Sequence, residues 1–420
     1  MKVCVETFGC TMNQGDSEAI KAIISREHTL CETPEICDVV VINSCGVIER
    51  TERNILKRIR TLKNLGKKVV VVGCLPRINL PILLENNVDA ILSGRAQNSL
   101  SEVIKNLENG KRIIKIEEFP FDRSRKLRRK DSCIAIVNIA EGCLGNCSYC
   151  ATRFARGRLK SRKLEEIIRE IKECLNHGFK EIQITSQDNA AYGKDLSYRL
   201  PELLEEISSI EGKFRVRVGM MNPAHTLEIL DELIQSYSNE KIYKFIHLPV
   251  QSGDNEILRH MNRGYTVEEF LEIVNTFRNK FKDLTFSTDI IVGYPTEDED
   301  SFETTYEFIK KIKPDILNIT RFSPRPNTPA SRLKDLPDRI KKERSRLLTH
   351  LLKKIGEEKN RKLIGKKFEV LTVKPGKNGT LLSRTNSYRQ VVLKNGKIGE
   401  FRKVKIKDAT FSYLIGDDVA

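Results

Sequence analysis

Glu141-Gly142-Cys143-Leu144-Gly145-Asn146-Cys147-Ser148-Tyr149-Cys150 follows an apolar stretch, Ile134 to Ile139, that reads as a β-strand. The C-x-x-x-C-x-x-C spacing puts three thiols on one short loop. Three thiolates this close hold three irons of a [4Fe-4S] cluster and leave the fourth iron without a protein ligand. In this spacing the expected occupant of that iron is S-adenosylmethionine (SAM), chelated through its amino and carboxylate groups. An electron from the cluster then splits the sulfonium into methionine and a 5′-deoxyadenosyl radical. A zinc site and three buried thiols are the competing readings. Zinc takes four ligands, and the nearest histidine in sequence, His177, lies far from the run.

Before this loop, the first 110 residues alternate short apolar runs with helical patterns, the signature of a doubly wound α/β layer. The runs are Val3 to Phe8, Val39 to Asn43, Val69 to Val72 and Val88 to Leu92. Three of them end at a cysteine: Cys10, Cys45 and Cys74. Parallel strands all point the same way, so residues just past their carboxyl ends gather in one crevice. The three thiols are therefore expected to converge, as a second three-thiolate cluster or by coincidence. Cys4, Cys31, Cys37, Cys133 and Cys174 read as small hydrophobes. Asn13 and Asp16 read as loop and cap residues before a helix beginning near Glu18.

The basic stretch Arg123-Ser124-Arg125-Lys126-Leu127-Arg128-Arg129-Lys130 reads as a linker or a solvated nucleic-acid contact. Six strand patterns follow, near 133 to 139, 180 to 185, 214 to 219, 243 to 248, 284 to 291 and 315 to 320, each but the last followed by a helical one. Six βα units are two short of a closed (β/α)8 barrel, so an open partial barrel is expected, with functional groups on the loops after its strands. Gln187, Asp188, Gln251 and Gly293 lie on those loops as candidates to hold the adenosine and methionine parts of SAM. Helix capping and turn formation are the alternatives for each. The acidic run Glu297-Asp298-Glu299-Asp300 reads as a complement to a helix dipole, not a metal site.

Lys334 to Lys362 reads as a charged helical connector. Beyond it, Phe368 to Val373, Gly379 to Arg384, Gln390 to Leu393, Glu400 to Ile406 and Ala409 to Leu414 are strand patterns separated by turns such as Asn395-Gly396. The chain carries 73 Lys and Arg against 57 Asp and Glu, net +16, which suggests a polyanionic partner. Residues 361–420 alone hold 14 basic and 5 acidic side chains. Five short strands in so basic a segment suggest a small β-barrel that grips RNA. At 420 residues two or three domains are expected. The absence of a signal-like segment and of a run of 18 apolar residues implies a soluble, cytoplasmic protein. Eleven cysteines then read as metal ligands plus spares in a reducing compartment.

As a whole the chain resembles the methylthiotransferases, radical SAM enzymes that insert sulfur at an unactivated carbon and methylate it. The resemblance rests on Gly9-Cys10-Thr11-Met12-Asn13-Gln14, Asn43-Ser44-Cys45, Val72-Gly73-Cys74, Gly142-Cys143 through Cys150, His247-Leu248-Pro249-Val250-Gln251-Ser252-Gly253 and Phe322-Ser323-Pro324-Arg325-Pro326-Asn327-Thr328-Pro329. Gly15-Asp16-Ser17-Glu18, Ala155-Arg156-Gly157 and Thr185-Ser186-Gln187-Asp188 look like the archaeal and eukaryotic branch, which modifies N6-threonylcarbamoyladenosine in tRNA. Gly293-Tyr294-Pro295-Thr296-Glu297 departs from the bacterial pattern, which has a second glycine after the proline.

The resemblance implies a cluster-binding domain over 1–115, a radical SAM core over 130–358 and a TRAM RNA-binding domain over 361–420. It implies two [4Fe-4S] clusters, a radical-forming one on Cys143, Cys147 and Cys150 and a sulfur-presenting one on Cys10, Cys45 and Cys74, with SAM as second cofactor. Tyr149 is expected near the SAM adenine. Arg156 and Arg158 are candidates to read the threonylcarbamoyl carboxylate of the substrate. The implied reaction gives 2-methylthio-N6-threonylcarbamoyladenosine at tRNA position 37. The implied partners are the tRNA anticodon arm, gripped by barrel and linker, an electron-donor protein and a sulfur donor, with no membrane. Methylthiolation of isopentenyladenosine or of a ribosomal-protein aspartate, and a non-enzymatic Fe-S protein that binds RNA, are the other readings.

Overall fold

The computed structural model describes residues 1–419 apart from 95, 108, 109, 111, 117–122, 124, 125, 129 and 130. The chain divides into two compact units. One comprises Met1–Arg129, Glu141–Leu159 and Ser323–Arg332, the other Lys130–Ala140, Lys160–Phe322 and Leu333–Ala420.

The first unit is built on a parallel sheet of β1 (Lys2–Thr7), β2 (Thr29–Leu30), β3 (Val39–Ser44), β4 (Lys68–Gly73), β5 (Ala90–Leu92) and β6 (Ile113–Lys115) in the order β2-β1-β3-β4-β5-β6. All six residues of β3 are buried, as a strand covered on both faces requires. Val39 and Val41 join Ile20, Ile24 and Leu100 in one core, and Val40 and Ile42 join Ile55, Ile59 and Leu62 in the other. The helices Thr11–Ile24 and Glu49–Asn64 carry those apolar faces. Each buried aliphatic side chain contributes about 1.5–3 kcal/mol. The chain runs from β1 to β2 on one side and returns to β3 on the other, so strand order reverses between β1 and β3. In open α/β sheets ligands bind outside the carboxyl ends of the strands at such a reversal. The short β2 and β6 were not visible in the apolar pattern.

In the second unit six strands lie in sequence order: β7 (Ile134–Asn138), then, after the two-residue strands β8 (Ala140–Glu141) and β9 (Lys160–Ser161), β10 (Glu181–Thr185), β11 (Arg215–Val218), β12 (Phe245–His247), β13 (Thr285–Val292) and β14 (Ile316–Arg321). They form the parallel sheets β11-β10-β7 and β12-β13-β14, linked by a single parallel bridge, Val216 to Ile242. This is the open partial barrel expected from six βα units.

Asp298 caps the helix Glu299–Ile312, as the acidic run suggested. Glu297 does not share that task. It is buried, accepts a hydrogen bond from the Gly293 amide at 2.7 Å and pairs with Arg344 at 2.5 Å. Arg344 belongs to the helix Asp338–Arg361, which buries Leu348, Leu351 and Ile355, so the charged connector is part of the core packing.

The carboxyl-terminal strands β15 (Lys367–Pro375), β16 (Leu381–Thr385), β17 (Gln390–Leu393), β18 (Phe401–Ala409) and β19 (Leu414–Asp418) close into a barrel around Val370, Val391, Leu393, Val404, Ile406 and Leu414. The strand expected over Ala409 to Leu414 is displaced. Thr410 to Tyr413 is a turn in which the Thr410 hydroxyl accepts hydrogen bonds from the Ser412 and Tyr413 amides, and the last strand starts at Leu414.

The barrel abuts the amino-terminal ends of the core strands, opposite the loops proposed to hold ligands. Lys244 N–H donates to the Asn386 carbonyl at 2.9 Å, Arg389 and Lys359 reach Asp315 at 2.9 and 2.6 Å, and Arg215 reaches Glu369 at 3.0 Å. Tyr388 lies against Tyr243 and Phe245, with ring centroids 5.0 and 4.8 Å away.

Candidate active site

Cys10 lies three residues past β1, and Cys45 and Cys74 come directly after β3 and β4; β1 and β3 flank the reversal of strand order and β4 is next to it. Their loops are stitched together. Asn13 Nδ2 donates to the Phe8 carbonyl at 2.8 Å and to the Ser44 carbonyl at 3.1 Å, and the Cys74 amide donates to the Ser44 carbonyl at 2.9 Å. Gly9 has φ +112°, and a Cβ there would lie 2.6 Å from Cys45 Cβ and 3.3 Å from its sulfur, so only glycine lets the first loop approach the second. Burial pushes the Cys45 thiol up, and burial pushes Cys74 up to about 12, with Arg156 opposing the shift and Cys45 and Cys10 adding to it. Iron ligation removes such protons, since the thiolate is the ligand. The three thiols are near enough to feel one another's charge, and thiolates are the donors an iron cluster takes, although among the described residues they are not gathered as tightly as ligands of one metal ion.

The second set is local. The Cys143 amide donates to the Gly157 carbonyl at 3.1 Å, the Cys150 amide to the Cys147 carbonyl at 3.1 Å, and the Gly145 amide to Cys143 Sγ at 3.2 Å. A Cβ on Gly145 would sit 3.3 Å from Cys143 Sγ and 3.8 Å from Cys147 Sγ. The three cysteines, with Arg77, Arg153 and Arg158, line a cavity of about 550 Å³. Asn327 and Pro329 of the Phe322 to Pro329 motif line the same cavity, the Ala330 amide just after it donates to the Ser148 carbonyl at 2.9 Å, and Arg325 anchors the segment on buried Glu52. This pocket also fits a cluster with an open side. Tyr149 is half-buried on the same loop.

Arg156 and Arg158, separated only by Gly157, have different surroundings. Arg158 is exposed and lines the cavity. Arg156 is 2% exposed. Its Nη1 donates to Asp16 Oδ2 at 2.7 Å and Glu141 Oε1 at 3.2 Å, Nη2 to Asn13 Oδ1 at 2.7 Å, and Nε to Cys74 Sγ at 3.2 Å. Arg123 donates to the same two carboxylates, at 2.7 and 3.2 Å. Burial works against the charges of Asp16 and Glu141, yet Arg123 and Arg156 outweigh it and hold both carboxyls below their ordinary range. Burial likewise opposes the Arg156 charge, and Cys74, Asp16 and Glu141 outweigh it, so its pKa is raised.

The first helix begins at Thr11 with Cys10 at its N-cap, so Asn13 and Asp16 are buried helix residues facing Arg156, not loop and cap. Arg123 and Arg128 are not solvated: they pair with Asp16, Glu141 and Glu18. Ser124, Arg125, Arg129 and Lys130 of that stretch lie outside the described residues.

In the second unit Gln187, Asp188, Gln251 and Gly293 do lie past the carboxyl ends of β10, β12 and β13. Asp188 accepts hydrogen bonds from the Ala190 and Asn222 amides at 3.1 and 2.9 Å and contacts His225 Nδ1 at 2.6 Å, which fastens the loop after β10 to the one after β11. Gln251 has φ +77°, and its amide donates to the Asp289 carbonyl at 2.8 Å. Gln187 is half-buried. His247, quoted above in the family motif, lies 2.8 Å from Asp289; that pairing and the one between His225 and Asp188 were not legible from sequence, because the partners are 42 and 37 positions away.

The radical SAM superfamily matches residues 137–309, the uncharacterized protein family UPF0004 residues 2–93, and the TRAM domain residues 361–419. Among solved structures, the radical S-adenosylmethionine methyltransferase TsrM from Kitasatospora setae aligns with a TM-score of 0.57 at 12% identity, over 79% of this chain and 74% of that one. The cobalamin-dependent S-adenosylmethionine radical enzyme OxsB aligns at 0.53 and 12%, over 83% and 55%. These likenesses define the class by fold, that of radical SAM enzymes. Sequence relatives narrow it. A probable threonylcarbamoyladenosine tRNA methylthiotransferase of Archaeoglobus fulgidus is 53% identical over 99% of this chain and 98% of its own length, and one of Pyrococcus abyssi is 47% identical over 99% of both. A tRNA-2-methylthio-N(6)-dimethylallyladenosine synthase of Thermotoga petrophila is 36% identical over 99% and 96%. The chain belongs to the radical SAM methylthiotransferase family, in its threonylcarbamoyladenosine tRNA branch.

Proposed function

We propose that this protein methylthiolates C2 of N6-threonylcarbamoyladenosine at position 37 of tRNA, with SAM and two [4Fe-4S] clusters as cofactors. The observation that carries this reading is the presence, in one compact unit, of two three-cysteine sets, one of them lining an open cavity. Cys143, Cys147 and Cys150 would hold one cluster and Cys10, Cys45 and Cys74 the other. When bound, these groups supply the electron that splits SAM and an open iron for sulfur.

The chain's own residues do the positioning. The Gly145 amide steadies Cys143 Sγ, and Asn13 fixes the first two loops of the other set. Arg158, with Arg77 and Arg153, gives the cavity cations able to read the threonylcarbamoyl carboxylate. Tyr149, Gln187, Gln251 and Gly293 are the proposed SAM contacts, with Asp188 ordering its loop. In functional terms residues 1–115 bind the sulfur-presenting cluster, 130–358 form the radical SAM core and 361–420 grip the anticodon arm. On β18, Lys403 and Lys405 are exposed while Val404 and Ile406 point inward, the alternation of a barrel that offers cations to phosphates. A reducing protein and a sulfur donor complete the reaction, in the cytoplasm. Among the described residues no helix is long and apolar enough to cross a membrane.

Anaerobically reconstituted protein, given SAM, reductant and defined tRNAs, tests the proposal by mass spectrometry of the nucleosides. The 2-methylthio product should form from tRNA bearing N6-threonylcarbamoyladenosine and not from unmodified adenosine. Activity only on isopentenyladenosine or on a ribosomal protein would refute the substrate.

A further inference from the structure

Arg156 is spent on neither substrate nor solvent in the reading above. It ends the short helix Thr152–Arg156 that follows the 143–150 loop, yet its side chain enters the interior of the other cysteine set. Asp16, Glu141, Arg123 and Arg156 form a buried quartet of two anions and two cations. Both Nη atoms of the Arg156 guanidinium are thereby held, Nη1 by the two carboxylates and Nη2 by Asn13, which aims its Nε–H at Cys74 Sγ. The cost of burying these charges is large, and a quartet that only held the fold together would be replaceable by apolar packing. A rigid donor at a sulfur is something apolar packing does not provide.

We infer that Arg156 is a positioning and redox-tuning residue of the cluster carried by Cys10, Cys45 and Cys74, acting through its Nε–H···Sγ hydrogen bond to Cys74. The inference rests on the proposed assignment of those cysteines as ligands. A hydrogen bond to a ligand sulfur draws off negative charge and favours the reduced cluster, so it raises the reduction potential. Asp16 and Asn13 act one step further out, by fixing the guanidinium. Because Arg156 lies six residues after Cys150, the same backbone segment that carries one cysteine set supplies the donor to the other.

The full-length chain with Cys143, Cys147 and Cys150 replaced by alanine isolates the second cluster. After anaerobic reconstitution with iron and sulfide and labelling with 15N-arginine, pulsed paramagnetic resonance of the reduced cluster should show hyperfine coupling to a guanidinium nitrogen. In the same background Arg156→Lys, which keeps the charge but not the geometry, should abolish the coupling and shift the midpoint potential to more negative values while iron content stays at that of one cluster. A cluster that forms but shows no nitrogen coupling, or whose potential is unmoved in R156K, would overturn the inference and leave the ligand assignment standing. No cluster at all in the triple variant would overturn both. The labelling measurement needs no change at position 156, so a variant that fails to fold does not remove the test.

Discussion

The two cysteine sets of the first unit are held by opposite means. Cys143, Cys147 and Cys150 sit on one loop ordered mainly by contacts within or next to it, with Gly145 donating to a sulfur two residues back and one distant support, the Ala330 amide on the Ser148 carbonyl. Cys10, Cys45 and Cys74 come from three strand ends and depend on the sheet, on Asn13 and on a buried charge quartet that includes Glu141. A local loop survives damage elsewhere better than a site assembled from distant pieces, because fewer long-range contacts must hold at once. The first set is also open to a cavity, whereas Cys45 and Cys74 of the second are buried. Cys10 of that second set is exposed, so it too keeps one open side, as a site that presents sulfur requires.

The largest expected effect divides the sets by chemistry. The intact reconstituted protein should hold about eight irons per chain and either triple alanine variant about four. The variant at Cys143, Cys147 and Cys150 should lose all SAM cleavage. The variant at Cys10, Cys45 and Cys74 should still release 5′-deoxyadenosine but make no methylthio product. Equal loss of cleavage in both folded variants would break the comparison.

Asp16→Ala tests the dependence on distant contacts. It removes one partner from a buried ionic network, which costs about 3–5 kcal/mol, read as a fall in the denaturant midpoint. Iron at the second set should drop while the first keeps its share; parallel loss from both would show that the local loop is not self-sufficient. Gly9→Ala and Gly145→Ala give a finer contrast. The former meets Cys45 Cβ at 2.6 Å with φ +112° and should cost about 1–3 kcal/mol. The latter meets only sulfur, at 3.3 Å, without a strained φ, and should cost less. Thermal melts of the two apoproteins rank them, and the reverse order would count against the argument from close approach.

The smallest effect lies outside both sets. Lys403→Ala with Lys405→Ala should weaken tRNA binding and flatten its logarithmic salt dependence by about 0.7–0.9 per lost phosphate contact. Iron content and SAM cleavage should be unchanged. An unaltered salt slope would remove this strand from the RNA surface.

Much of this was legible from residue order because it is local. The core strands are periodic apolar runs, and β10, β13 and β17 lie within a residue of where the pattern put them. The 143–150 site is written in one loop. The Cys10, Cys45 and Cys74 set was legible only through topology, since strand direction and the reversal of order bring those positions together. The Arg156 environment was not legible: Asp16 and Asn13 are 140 and 143 positions away, and short polar side chains near a helix start look like caps until a distant arginine claims them. Phe411 and Tyr413 have strand-like side chains, but the Thr410 hydroxyl offers their backbone a turn instead.

Tyr388, Asn386, Arg389 and Glu369 bind the small barrel to Tyr243, Lys244, Asp315 and Arg215 of the core. Cys133 and the barrel residues Leu371 and Val373 share one apolar cluster, so the two parts have a continuous interior. A chain cut after residue 360 would therefore strip a wall from the core and present Tyr243, Phe245 and Cys133 to water, inviting aggregation. The barrel is no detachable module on a tether, and the two should melt in one cooperative step, so the contribution of its basic surface to RNA is better measured by single charges than by truncation.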